Sequence, residues 1–167
     1  MEAVIFVGIQ GAGKSTFYKE RFFTTHLRIN LDMLKTRHRE RQFLRTCIET
    51  RQRFVVDNTN PTRAERQVYI EAAKQAGFRV IGYYFQSKVE DCQRRNTQRP
   101  LEQQIPLKGI LGAAGRMQIP SSMIFLCGRG AASGCIGRRM SGPLRTPSPA
   151  RKCLLGDGGF AATSNCR

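Results

Sequence analysis

The sequence predicts an α/β protein with a parallel sheet covered by helices on both faces, followed by an irregular basic tail. Three observations carry this. Short apolar runs alternate with helical patterns through the first 120 residues, the signature of strand–helix–strand units. The first apolar run leads straight into a glycine-rich loop that opens a helix. Beyond Ser121 neither a helical nor a strand period is sustained, and 8 of the 16 glycines and four of the six cysteines gather there.

Residues 3–8 read as the first strand, and Lys14 to about Phe23 as a helix. Leu27–Asn30 reads as a second strand. From Asp32 to about Arg51 one helical pattern points Leu34, Phe43, Leu44, Cys47 and Ile48 inward. Phe54-Val55-Val56 is a compact buried strand that ends in Asp57-Asn58-Thr59-Asn60-Pro61. Pro61 and Thr62 open a helix whose face is marked by Ala64, Val68 and Ala72 and which Gly77 stops. Residues 78–85 form a further strand. Ser87 is the expected N-cap of a helix carrying Val89, Cys92, Arg95 and Arg99, ended by Pro100. A last helix spans about Leu107 to Met117. In the tail, Met123–Leu126 fits one short strand, while stretches such as Pro147-Ser148-Pro149 read as disordered chain.

At 167 residues the chain suits one domain with a real core, here assigned to residues 1–120, with 121–167 as a Gly/Arg/Cys-rich tail. No apolar run is long enough to span a bilayer, and the N-terminus lacks the basic region of a signal peptide. The expectation is a cytoplasmic protein with reduced thiols and no structural metal, since no two cysteines form a C-x-x-C pair. The formal charge is +16. Residues 1–120 hold 21 Lys and Arg against 11 Asp and Glu, so the folded part is itself basic. That favours phosphate-rich partners, nucleic acid among them, although a solvated basic surface has the same composition.

Residues 8–16, Gly-Ile-Gln-Gly-Ala-Gly-Lys-Ser-Thr, match G-x-x-x-x-G-K-[ST] between a strand and a helix. The spacing lets the backbone N–H groups from Gly8 through Gly11, Ala12 and Gly13 to Thr16 face a polyphosphate at the positive end of a helix. Lys14 then reaches the β- and γ-phosphates, and the Ser15 hydroxyl serves Mg²⁺. A nucleoside triphosphate is the implied ligand. ATP is favoured because no guanine-reading N-K-x-D motif is present. Asp57 follows a strand at the ligand-bearing edge of the sheet, where it would hold Mg²⁺ or close an Asx-turn. Asp32, beyond the second strand, is placed either to take a proton from an attacking hydroxyl or to cap a helix. Arg95 and Arg99, four apart, share one helical face, suited to a transferring phosphoryl group or to plain solvation.

Together, Gly8–Thr16, Ile29-Asn30-Leu31-Asp32, Asp57–Pro61 and Cys92–Pro100 resemble, in order and spacing, the kinase domain of the polynucleotide 5′-hydroxyl kinases and their zeta-toxin-like P-loop relatives. The resemblance covers residues 1–120. It implies a three-layer α/β P-loop kinase fold and ATP-dependent phosphorylation of a hydroxyl, foremost the 5′ end of a single-stranded nucleic acid. It also implies that Asp32 is the general base, that Arg95 and Arg99 come from a lid helix onto the donor phosphates, and that Lys35 helps hold the acceptor's phosphate. Leu31 and Met33 depart from the Arg and second acid common around the base. The tail replaces the family's acidic-aromatic continuation and final strand, which suggests sequence outside the ancestral reading frame from about Ser121 and a sheet lacking its last strand. A sugar or nucleoside kinase and a disabled ATP-binding protein are the alternatives.

Overall fold

The computed structural model describes residues 1–86, 88–121 and 124–127. Five parallel strands, β1 (Glu2–Val7), β2 (Leu27–Ile29), β3 (Phe54–Val56), β4 (Arg79–Gln86) and β5 (Ile124–Cys127), form one sheet in the order β2-β3-β1-β4-β5. Helices α1 (Lys14–Arg21), α2 (Leu31–Leu34), α3 (Arg37–Glu49), α4 (Arg63–Gln75), α5 (Val89–Thr97) and α6 (Leu107–Gly115) connect them.

The central strand explains the layering. In β1, Ala3, Ile5 and Val7 join one core with Leu44 and Cys47 of α3 and Tyr69 and Ala73 of α4. The alternate residues Val4 and Phe6 join a second core with Tyr18, Phe22, Cys92 and Ile110. Because successive strand side chains point to opposite faces, a strand buried on both sides must be apolar throughout. Phe6 is wholly buried, ringed by Phe17, Phe22, Tyr83 and Phe85 with centroids 5.1–6.0 Å away. This is the three-layer α/β arrangement the alternation predicts.

Several elements differ from expectation. The helix expected over 32–51 is two helices. Asn30 caps α2, its side chain accepting from the Met33 N–H at 3.1 Å. The chain then turns at Lys35 with φ 68°, and Thr36 caps α3 through the Arg39 N–H. Two side-chain caps six residues apart outweigh the continuous helical period.

In α4 the inward stripe is Arg66, Tyr69 and Ala73. Ala64 and Val68 are exposed and only Ala72 is partly covered. The reason is that Arg66 is buried as a hydrogen-bonding group, to the Asn60, Pro61 and Gln118 carbonyls, so polarity misplaces the face. The expected start of α4 stands: Thr62 and Glu65 form a reciprocal capping box, and Gly77 follows the helix at φ 74°.

Lys88 occupies the N-cap of α5 without a side-chain cap, and the expected cap Ser87 lies outside the described residues. Arg99 lies past the helix end at Thr97. The sheet does have a last strand: β5 pairs in parallel with β4, Tyr84 opposite Phe125, close to the short strand expected at 123–126. The expectations for 128–167 fall outside the described residues.

Candidate active site

The sheet order reverses around β1, so the loops after β1, β2 and β3 meet at the carboxyl edge of the strands. They enclose a cleft of about 340 Å³. The phosphate loop forms its floor. Gly11 and Gly13 take φ of 79° and 93°, a region that side chains disfavour. A Cβ on Gly11 would also lie 2.7 Å from the Cys92 carbonyl oxygen, because α5 packs directly on the loop. Gln10, Gly11, Ala12, Gly13, Lys14, Ser15 and Thr16 all line the cleft. Gly8 does not, and instead lets β1 approach Phe85, whose Cβ would be 2.9 Å from a side chain there. The first-turn N–H groups of α1 have no partner within the helix, so the floor suits an anionic polyphosphate.

Lys14 is buried, its ammonium donating to the Gly8 and Ile9 carbonyls at 2.7 and 2.9 Å. Burial pushes its pKa down from 10.5 to about 8. Ser15 Oγ donates to Asp57 Oδ2 at 3.1 Å, and the Asp57 side chain is almost fully enclosed. Two hard oxygens at this spacing fit Mg²⁺, which takes one or two protein oxygens and completes its shell with phosphate and water. Arg28, which the sequence reading passed over, also reaches this place from β2. Its Nε donates to Asp57 Oδ2 at 2.9 Å, and its Nη2 donates to the same oxygen and to Ser15 Oγ.

The Asp57–Pro61 segment is a clamp joining three strands. Asn58 Oδ1 accepts from the Leu31 N–H at 2.8 Å. Thr59 carbonyl accepts from the Gly8 N–H at 3.1 Å. Asn60, at φ 46°, donates to the Phe6 carbonyl at 2.8 Å. Asn30 Nδ2 in turn donates to the Asp57 carbonyl. Each bond satisfies a backbone group that the sheet edge leaves unpaired. Asp32, in the first turn of α2, is thereby carried on a loop tied to the one bearing Asp57, and its exposed carboxylate lines the same cleft.

Behind this clamp sits a buried polar cluster that no sequence motif announced. Glu40, 2% exposed, accepts from Tyr69 at 2.8 Å, from Arg37 at 2.8 Å and from Asn58. Burial and the neighbouring carboxylate push the Tyr69 hydroxyl up to about 12, so it stays a donor.

The two arginines expected on a lid helix separate. Arg99 lines the cleft, whereas Arg95 is outside the lining, its guanidinium on the Asp91 carbonyl at 3.0 Å. Asn96 clips the end of α5 to the next segment by two bonds with the Ile105 backbone. Lys35 is exposed and outside the lining, while Arg37, at the start of α3, faces the cleft. Among the described residues no cluster of His, Cys, Asp and Glu could hold a metal, and no helix is long and apolar enough to cross a membrane.

Residues 28–118 match the family model described as an AAA domain, a span that begins after the phosphate loop and takes in Asp32, Asp57 and Arg99. The bifunctional polynucleotide phosphatase/kinase of Schizosaccharomyces pombe is 28% identical over 124 residues, covering 72% of this chain and 30% of that protein. The chain thus spans under a third of that relative's length. Among solved structures, a gluconokinase from Sinorhizobium meliloti 1021 is similar with a TM-score of 0.59 at 15% identity, over 77% of this chain and 83% of that one. The Pnkp1/Rnl/Hen1 RNA repair complex gives a TM-score of 0.59 at 20% identity, over 70% of this chain and 43% of that one. These likenesses establish the P-loop kinase fold.

Proposed function

We propose that this chain, which belongs to the AAA domain family, transfers the γ-phosphoryl group of ATP to a hydroxyl, with the 5′-hydroxyl of a nucleic acid as the acceptor. The observation that carries the reading is convergence: Lys14 and Ser15 of α1, Asp32 of α2, Asp57 after β3 and Arg99 after α5 line one cleft. Phosphoryl transfer needs positioning and charge stabilisation more than covalent chemistry, and this set supplies both.

In the reading, the loop N–H groups and Lys14 hold the β- and γ-phosphates, Lys14 exchanging its bonds to the Gly8 and Ile9 carbonyls for phosphate oxygens. Ser15 and Asp57 would hold Mg²⁺, which neutralises charge on the phosphates when bound. Asp32 accepts the proton of the acceptor hydroxyl as its oxygen attacks phosphorus, and the bond from phosphorus to the ADP leaving oxygen breaks. Arg99 faces the charge that spreads over the transferring group. Arg95 and Lys35 stand outside the cleft, so Arg99 and Arg37 are the guanidinium groups assigned to donor and acceptor phosphates.

The nucleic-acid acceptor is supported by the basic run Lys35, Arg37, Arg39 and Arg41 beside Asp32, and by the polynucleotide phosphatase/kinase relative. The gluconokinase likeness concerns the fold alone. The test is label transfer from γ-labelled ATP to a 5′-hydroxyl oligonucleotide, run beside gluconate, ribose and nucleosides. Preferential labelling of the oligonucleotide supports the acceptor assignment; labelling of a small alcohol alone would replace it.

A further inference from the structure

Arg28 presents a positive charge at the place the proposed mechanism gives to a divalent cation. Three features hold it there. Its Nε and Nη2 both donate to Asp57 Oδ2, and Nη2 also donates to Ser15 Oγ at 2.7 Å. Its guanidinium carbon lies 5.3 Å from the centroid of the Tyr18 ring, a favourable cation–π placement. Tyr18 is itself fixed by donating to the His26 carbonyl at 2.9 Å.

The Asp57 carboxylate is buried, with side-chain exposure of 1%, and a buried carboxylate must be paired. Arg28 is the ion-pair partner the described structure gives it. A Mg²⁺ ion shared by Ser15 and Asp57 would demand short, nearly octahedral bonds to the same oxygens. It would also bring a second positive charge against the guanidinium. The two cations therefore compete for one seat.

We propose that Arg28 is a built-in stand-in cation. Resting on the proposed nucleotide site, it orders Ser15 and Asp57, which line the cleft, without metal and keeps a positive charge beside the phosphate seat. A divalent ion then enters by displacing it. A guanidinium suits this task because its planar fork sets Nε and Nη2 on one carboxylate oxygen while Nη2 also reaches the Ser15 hydroxyl. The consequence is nucleotide binding that depends little on Mg²⁺.

Calorimetric titration of the full chain with the non-hydrolysable β,γ-imido analogue of ATP tests this. It is run once in EDTA and once in excess Mg²⁺, on the wild type and on Arg28→Met. The ratio of the two dissociation constants should be close to one in the wild type and should rise by about tenfold in Arg28→Met, as metal-free binding weakens. A ratio that differs by less than threefold between the two proteins overturns the proposal. Arg28→Lys keeps the charge and loses the fork, so it should give an intermediate ratio; it carries the test if Arg28→Met does not fold by circular dichroism. Failure of the wild type to bind the analogue in either buffer is a different result, which removes the triphosphate site itself and this inference with it.

Discussion

Lys14 shows how a single residue is tuned by its place. Its ammonium rests on two loop carbonyls, and burial brings its pKa down to about 8. A triphosphate needs the charged form. Above that pH, binding must first restore the proton to Lys14, so ATP affinity should fall by up to about tenfold per pH unit. Titrations between pH 7 and 10 check this: affinity should hold to near pH 8 and decline beyond it. Lys14→Met should abolish the decline together with most of the affinity. Residues of this kind differ in how legible they are. Lys14 and Ser15 stand in a motif whose spacing states their task. Arg28 does not, because an arginine in a three-residue strand reads as an edge charge, and its partners Ser15 and Asp57 lie 13 and 29 residues away.

At the scale of elements, the loops rather than the helices hold the site in register. Asn58 ties the loop after β3 to the start of α2 and to buried Glu40. Asn58→Ala removes both bonds and leaves a buried carboxylate oxygen with one partner fewer. It should cost about 1–3 kcal/mol in denaturant unfolding and lower turnover by moving Asp32. Glu40→Ala, which strips partners from Tyr69 and Asn58 at once, should cost at least as much. Thr62→Ala at the capping box of α4 should cost about 1 kcal/mol with little effect on turnover; equal losses of turnover from Thr62→Ala and Asn58→Ala would contradict this division. Here the sequence was partly readable. The strand cores and the Thr62 cap were evident from apolar runs and cap chemistry. The break at Lys35 was not, since a non-glycine residue at positive φ leaves no compositional mark. The face of α4 was misjudged because its stripe includes Arg66, a buried charge satisfied by three carbonyls.

For the whole molecule, the two cores on either side of β1 are the reason the edge loops converge. The order β2-β3-β1-β4-β5 sets β1 at the centre, and the double burial of β1 follows from its unbroken apolar sequence, the most legible feature of the chain after the phosphate loop. Phe6→Ala should cost about 3–5 kcal/mol, since it empties the middle of an aromatic cluster. Ending the chain at Pro120 deletes β5 and exposes the backbone of β4. That change should lower the melting temperature relative to a chain ending at Gly128, and equal melting temperatures would deny β5 a structural part. The central claim, a hydroxyl kinase with Asp32 as its base, is met most directly by one pair of measurements on Asp32→Asn: phosphoryl transfer to a 5′-hydroxyl oligonucleotide, and ATP affinity. The account predicts transfer reduced by about a hundredfold or more with ATP affinity within a few-fold of wild type. Transfer at the wild-type rate, or none by the wild type that binds ATP, would contradict it.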